Sequence, residues 1–385
     1  MLNFEFSNPT KIIFGKGQIK KIKREIATNH KILLMYGGGS IKKNGVYAQV
    51  MDALSEHQIV EFSGVEPNPS IETLTKAIAL VKEEKVDYIL AVGGGSVIDG
   101  AKFVAAAVPF DGDPWDILAK GAKVRSALPI SCILTLPATG TESNGNSVVT
   151  KRSTQEKLPF ASPLVYPKTA ILDPEVTFSL PERQVANGVV DAFVHTMEQY
   201  LTYDVNAPVQ ERFAESLLCT LIQEGPKALS NPTDYDVRAN IMWAATMALN
   251  GLIGLGVPQD WATHAIGHEI TALHGLDHAQ TLAIVLPSLM HHKRDTKANK
   301  IAQYGRRVWG INDASDDVVI EQAIAKTAEF FEAMGVPTKL AGYGIGPEAV
   351  DGLIAQLIKH NLTAIGEHKD ITPEVARAIL DDAAA

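Results

Sequence analysis

The sequence predicts two unlike parts: an α/β N-terminal domain built on a parallel, Rossmann-like sheet, and an all-α C-terminal domain. Three observations predict it. Over the first 180 residues short β-rich runs alternate with amphipathic helical stretches, the order that yields a parallel sheet covered by helices. Two of those β-rich runs end in the same turn, Gly-Gly-Gly-Ser. Beyond residue 181 the β signal stops and only helical periodicity continues. The expected domains are therefore 1–180 and 181–385, a division that also suits the length, since 385 residues exceed one ordinary core.

In chain order, strands are expected at 11–14, 31–36, 59–62, 87–92, 132–136, 147–150 and 169–172. Between them the stretch 71–84 places apolar residues at 71, 74, 77, 78 and 81, one buried helical face, with Ser70 as N-cap and Glu72 in the first turn. Further helices are expected at 182–201, 207–223, 235–252, 259–273, 279–292, 297–308, 316–334, 347–360 and 373–383. Thr372 and Pro373 open the last, a cap followed by proline at the first helical position. Gly335 and Pro337 close the helix at 316–334.

The composition is that of a globular enzyme, 46% hydrophobic and 21% charged. A net charge of -9 disfavours nucleic acid and anionic membrane as partners, because a phosphate backbone needs a basic face. No apolar run approaches the roughly 20 residues that span a bilayer. The start, Met1-Leu2-Asn3-Phe4-Glu5-Phe6, lacks the basic and apolar regions of a secretory leader. Cys132 and Cys219 lie far apart in apolar stretches, so buried free thiols in a reducing compartment are expected. A cytoplasmic location follows.

The glycine turns are Gly37-Gly38-Gly39-Ser40 after Tyr36 and Gly93-Gly94-Gly95-Ser96 after Val92. Glycine there lets a ligand phosphate approach the backbone, and free N–H groups at a helix start attract negative charge. Either turn alone is compatible with a tight strand-to-helix connection; two at strand ends in one domain point to a dinucleotide. An NAD site usually offers a carboxylate near the end of the second strand for the ribose hydroxyls. Here that place holds Gly37, Gly38, Gly39 and Ser40, then Lys42 and Lys43. Open space, a hydroxyl and ammonium groups favour a 2′-phosphate, hence NADP(H).

The strongest chemical signal lies in the helical part. Asp191 and His195 stand four apart, as do His264 and His268, and His274 and His278 follow. Residues four apart share one helix face. Imidazoles and a carboxylate without cysteine suit Zn²⁺, Fe²⁺ or a similar divalent ion. A lone histidine on a helix is usually just a polar position, but burying this many titratable groups unpaired is costly. The metalloprotease pattern is absent, because His268-Glu269 is followed at 272 by alanine.

With these residues in view, the chain resembles the iron-containing (group III) alcohol dehydrogenase superfamily, and within it the YqhD-type NADPH-dependent aldehyde reductases, also called butanol dehydrogenases. The resemblance runs over essentially the full length. It is carried by Glu66-Pro67-Asn68-Pro69, Gly93-Gly94-Gly95-Ser96-Val97-Ile98-Asp99, the run Ala186 to His195, the run Gly256 to His264, and Gly275-Leu276-Asp277-His278. It implies a dehydroquinate synthase-like fold and one divalent metal, Zn or Fe, on Asp191, His195, His264 and His278. It makes His268 a neighbour of nicotinamide and substrate, the candidate catalytic residue, rather than a ligand. It places Asn68, Gly94, Gly95, Ser96 and Asp99 around NADP(H), with Ser96 opening the helix that holds the pyrophosphate; Gly37, Gly38 and Ser40 are expected at the cofactor from the first glycine turn itself, whose three glycines match the NADP-using branch. Thr135, Thr139 and Thr141 fall where the family lines the cofactor cleft, and Lys157 where a lysine meets the nicotinamide ribose. The loop here reads Pro137-Ala138-Thr139-Gly140-Thr141 where the wider family often reads Pro-Thr-Thr-Ala-Gly-Thr.

The expected reaction is hydride transfer between NADP(H) and a short-chain aldehyde or primary alcohol, and the resemblance suggests a homodimer. The alternatives are other members of the same fold, a glycerol-phosphate dehydrogenase or a dehydroquinate-synthase-like lyase. Lys and Arg are scarce around the proposed metal segments, which disfavours such phosphorylated or carboxylated substrates. A binding protein without turnover is disfavoured by four intact ligand positions.

Overall fold

Strands whose side chains are apolar at consecutive positions can be buried on both faces, and here they are. The computed structural model describes residues 1–385. Its strands are β1 (Lys11–Phe14), β2 (Lys31–Tyr36), β3 (Gln58–Phe62), β4 (Tyr88–Gly94), β5 (Ile130–Leu136), β6 (Asn146–Lys151), β7 (Glu156–Ala161) and β8 (Thr169–Leu172). Ile32 to Tyr36 in β2 and Tyr88 to Val92 in β4 are all buried. That is why they read as apolar runs and not as alternations. Leu33, Met35, Ile89 and Ala91 belong to the core on one face, Ile32, Leu34, Leu90 and Val92 to the core on the other.

Six strands form one parallel sheet in the order β1-β8-β5-β4-β2-β3. From β2 the chain moves outward to β3, then returns to set β4 on the opposite side of β2. The order therefore reverses between β2 and β4, and each of these strands ends in a Gly-Gly-Gly-Ser turn. A ligand crevice is expected at such a reversal, outside the carboxyl ends of the strands. The helices of this unit are α1 (Ser40–Lys43), α2 (Val46–Ala53), α3 (Ile71–Glu84), α4 (Gly95–Ala107) and α5 (Asp116–Ala119). The Ser70 hydroxyl accepts from Thr73 N, and α3 buries Leu74, Ala77, Ile78 and Val81 as its period predicts.

The run expected as a strand at 147–150 forms, but as β6 of an antiparallel hairpin with β7 rather than as part of the sheet. Strand β7 was not expected. Pro159 within it removes a ladder donor and marks the segment against strand structure, yet it pairs with Val148 at the edge of a two-stranded ribbon.

The helical part comprises α6 (Glu182–Tyr200), α7 (Pro208–Ser230), α8 (Tyr235–Ala248), α9 (Ala262–His274), α10 (His278–His292), α11 (Ala298–Arg307), α12 (Asp316–Ala333), α13 (Ala349–Lys359) and α14 (Pro373–Ala384). Helix α7 continues to Ser230, beyond the expected end at 223, with Pro226 inside it. Helix α9 starts three residues later than expected: Trp261 takes a left-handed φ of 61°, and the Asp260 carboxylate accepts from Ala262 N.

The chain divides into two compact units, one of Ser7–Leu180 with Thr233–Thr246, the other of Met1–Phe6, Pro181–Pro232 and Met247–Ala385. Most of α8 thus belongs with the sheet: Met242 lies in its core and the Thr246 hydroxyl donates to Glu142 at 2.5 Å. Both cysteines are free thiols; Cys132 is buried, whereas Cys219 is only partly so, contrary to the expectation of burial for both. No helix is long and apolar enough to cross a membrane.

Candidate functional site

Asp191 and His195 project from one face of α6, one turn apart, and both are 3% exposed. His264 lies in the first turn of α9 and His278 is the first residue of α10. What brings His278 to α6 is its own cap. The Asp277 side chain accepts from the backbone of Gln280, whose side chain accepts in return from Asp277 N, a reciprocal capping box. Asp277 also accepts from Asn187 Nδ2 at 2.8 Å, one turn before Asp191 on α6. The start of α10 is therefore pinned to the helix that carries the other two groups.

One ligand atom from each of Asp191, His195, His264 and His278 lies within 4.8 Å of all the others. Asp191 Oδ1 is 3.8 Å from His195 Nδ1 and 3.6 Å from His278 Nε2. Bonds of about 2.1 Å at tetrahedral angles place ligand atoms about 3.4 Å apart, so the spacing fits a small divalent cation. His195 Nδ1 is buried without a hydrogen-bond partner, a position that a cation would satisfy. Burial, and then the neighbouring His264, push the His195 pKa well down, which favours the neutral imidazole that ligates metal. One carboxylate and three imidazoles leave a dication with a net positive charge.

Glu198, one turn beyond His195, was not singled out from the sequence. Its Oε1 accepts from Thr263 N at 2.6 Å and from His264 N, and its Oε2 meets His264 Nδ1. A carboxylate on one ring nitrogen orients the imidazole and leaves Nε2 to face the metal. Burial and then the charge of Asp260 raise the Glu198 pKa well above the ordinary carboxylate value. Its spacing of three from His195 on the same helix was the available signal.

His268 is outside the four-atom set. Its ring lies 5.3 Å from that of His278 and 6.1 Å from that of His264. The Trp261 ring is 5.2 Å from His264. His274 is the last residue of α9 and is not one of the four.

In the α/β unit, Gly94 closes β4 and Gly95 and Ser96 open α4. A Cβ on Gly95 would stand 2.7 Å from Thr139 Oγ1, so only glycine lets this turn approach the 139–141 segment. The Asp99 carboxylate accepts from Thr141 Oγ1 at 2.6 Å and from Val148 N at 3.0 Å. Asn68, held at a left-handed φ of 54°, accepts from Lys157 Nζ at 2.9 Å. Two groups thus form, Gly95 with Asp99, Thr139 and Thr141, and Asn68 with Lys157. Thr135 lies near the carboxyl end of β5.

Gly37 and Gly38 follow β2, and Ser40 opens the short α1. The sequence shows no carboxylate at that turn, but the fold brings one from the neighbouring strand. Glu61 of β3 accepts from Tyr36 at 2.7 Å and Tyr47 at 2.6 Å, and lies 3.4 Å from Lys42 Nζ. The two tyrosine hydroxyls, Tyr47 first, hold its pKa below the usual value.

Two family models match: iron-containing alcohol dehydrogenase over residues 9–174, and the C-terminal model of the Fe-containing alcohol dehydrogenase family over 185–384. The chain belongs to the iron-containing alcohol dehydrogenase family. It is 57% identical to the NADPH-dependent aldehyde reductase YqhD of Escherichia coli, over the whole of both chains. It is 41% identical to NADH-dependent butanol dehydrogenase A of Clostridium acetobutylicum, over 97% of each. A crystal structure of YqhD superposes with a TM-score of 0.98 at 56% identity, over 99% of each chain. The structure of NADH-dependent butanol dehydrogenase A from Thermotoga maritima gives 0.96 at 39% identity, over 100% of this chain and 99% of that one.

Proposed function

We propose that this protein reduces short-chain aldehydes to primary alcohols with NADPH, reversibly, using one divalent cation held by Asp191, His195, His264 and His278. The observation that carries the reading is the convergence of those four ligand atoms in a chain 57% identical to an NADPH-dependent aldehyde reductase. The cofactor preference rests on the glycines at 37–39 and on Lys42; the relatives themselves include both NADPH- and NADH-dependent enzymes.

Reduction adds a hydride to the carbonyl carbon and a proton to its oxygen. When bound, the dihydronicotinamide supplies the hydride and the cation acts as a Lewis acid toward the carbonyl oxygen. The residues of the chain do the rest. Asp191 and the three imidazoles set the charge at the site, and Glu198 fixes the His264 ring. His268, beside the ligand set but outside it, is the candidate to pass the proton. Gly94, Gly95 and Ser96 offer backbone N–H groups at the start of α4 to the cofactor's pyrophosphate. Lys157 is assigned to the nicotinamide ribose, with Asn68, which accepts from it, beside the cofactor.

The protein is further proposed to act as a homodimer in the cytoplasm. Two free thiols suit a reducing compartment. Leu2, Phe4 and Phe6 are each about half exposed, an apolar alternation that a second copy would cover. The test is NADPH oxidation by the purified protein with butanal, beside metal analysis and light scattering. Turnover with a phosphorylated substrate but not with butanal would reverse the substrate assignment.

A further inference from the structure

Lys297 is a buried ammonium group outside the ligand set of Asp191, His195, His264 and His278. It is 4% exposed and stands at the N-cap of α11. All three of its donors are matched: Nζ gives to Glu367 Oε1 at 2.5 Å, to Leu201 O at 2.7 Å and to Asp260 Oδ2 at 2.8 Å. Leu201 is the C-cap of α6, where carbonyls without intrahelical partners favour a cation. Asp260 precedes α9 by two residues. Glu367 lies in the 365–371 loop, which a bridge between Ile365 and Ile371 closes. One ammonium therefore joins three segments that are far apart in the sequence.

Two of those segments carry the metal-site groups. Helix α6 bears Asp191, His195 and Glu198, and α9 bears His264 in its first turn. Asp260 sits at the junction: its N donates to Glu198 O at 2.9 Å, and its Oδ1 accepts from Ala262 N at 2.8 Å. Between Asp260 and Ala262 stands Trp261 at a φ of 61°, a left-handed backbone that a bulky residue takes only where its surroundings impose it. That reversal delivers Thr263 N and His264 N to Glu198 Oε1, and His264 Nδ1 to Glu198 Oε2. Asp260 and Glu198 are both buried, so two carboxylates clasp one turn. Like charges so placed repel unless a cation offsets them. Lys297 supplies that cation.

Resting on the reading that the four ligand atoms hold a divalent cation, we infer that Lys297 is a positioning residue, which through Asp260 fixes the left-handed turn that aims the His264 ring. It acts through the turn and is not itself a ligand. Bonded to Leu201 O and to Asp260 at once, it holds the end of α6 against the start of α9, and so sets where His264 stands relative to Asp191 and His195. Such coupling is reciprocal. A cation that draws the ligands together also stabilises the clasp, and with it the 365–371 loop tied on by Glu367.

The test is competition for Zn²⁺ between a chelator and the purified protein, wild type beside Lys297→Met, with melting temperatures of the zinc-loaded and metal-free forms. The zinc dissociation constant is expected to rise by about 10- to 100-fold in the variant, as when a metal ligand loses its outer support. The gain in melting temperature on zinc loading should shrink with it, while NADPH affinity stays at the wild-type value. In the wild type, backbone amides of 365–371 should exchange more slowly with zinc than without; equal exchange would deny the link to the loop. A melting temperature lowered equally in both forms, with the zinc constant unchanged, would mean that Lys297 only supports the fold, and would overturn the inference. Should Lys297→Met not fold, Asp260→Ser keeps an acceptor for Ala262 N and removes the one for Lys297, and an unchanged zinc constant there overturns it equally. A wild type that takes up no divalent metal would instead sink the reading of the site, and this inference with it.

Discussion

The two units each bury a cluster of charged groups, and the clusters are finished in opposite ways. In the α/β unit Lys102 has three acceptors and Asp99 has two donors, all supplied by the chain. In the helical unit a carboxylate and three imidazoles turn ligand atoms toward one another, and His195 Nδ1 is buried without a hydrogen-bond partner. The first arrangement holds backbone in place and is complete without a ligand. The second brings one carboxylate and three imidazoles together in a spacing that a cation could occupy. The difference separates a polar network satisfied by the chain from one proposed to take a ligand.

The largest effect expected from that contrast is in His264→Ala. Losing one of four ligands should cost more than about 100-fold in metal affinity and remove most turnover, while the α/β unit still binds NADPH. Element analysis and NADPH titration on the same preparation check both halves; an active enzyme without a divalent metal would break the comparison. His268→Ala is expected to keep its metal and lose about 10²–10⁴ in kcat, the range for an acid–base group. If KM for NADPH rises while kcat holds, His268 only packs against the nicotinamide. Loss of metal would make it a fifth ligand.

Glu198→Gln tests whether the carboxylate behind His264 belongs to the metal set. About 10- to 100-fold weaker metal binding is expected, with activity largely restored by added metal; competition with a chelator measures it. Gly38→Asp should shift the NADPH-to-NADH preference of kcat/KM by about tenfold toward NADH, one repulsive charge contact of about 1.4 kcal/mol. A preference unmoved by this change would deny the glycine turn its part in binding the 2′-phosphate.

The smallest effect concerns a third buried cluster, which like that of Lys102 is completed by the chain. Lys297 Nζ donates to Asp260 Oδ2 at 2.8 Å, to Glu367 Oε1 at 2.5 Å and to Leu201 O at 2.7 Å. Burial and the facing Asp260 raise the Glu367 pKa from 4.5 to about 7. Between those values the folded state binds more protons than the unfolded one, so this group's contribution to stability falls as pH rises across that window and is level above it. The melting temperature should carry that decline, on the order of 2 °C, and Glu367→Gln should flatten it.

The sequence by itself determined what depends on neighbours in the chain. Strands 11–14, 31–36 and 169–172 were legible because continuous apolar runs bounded by turns leave little choice. Nine helices followed from a 3.6-residue period. Asp191 and His195 were legible as a pair because four residues on a helix fix a common face, and the resemblance joined them to His264 and His278. The tertiary structure alone decided the rest. Glu198 and His264 are 66 residues apart, Lys102 and Asn144 42, and Lys42 and Glu61 lie on separate elements. No local period encodes such pairings. They form because a charge taken from water must find a partner wherever the packed chain brings one, and the identity of that partner is set only when the elements close on each other.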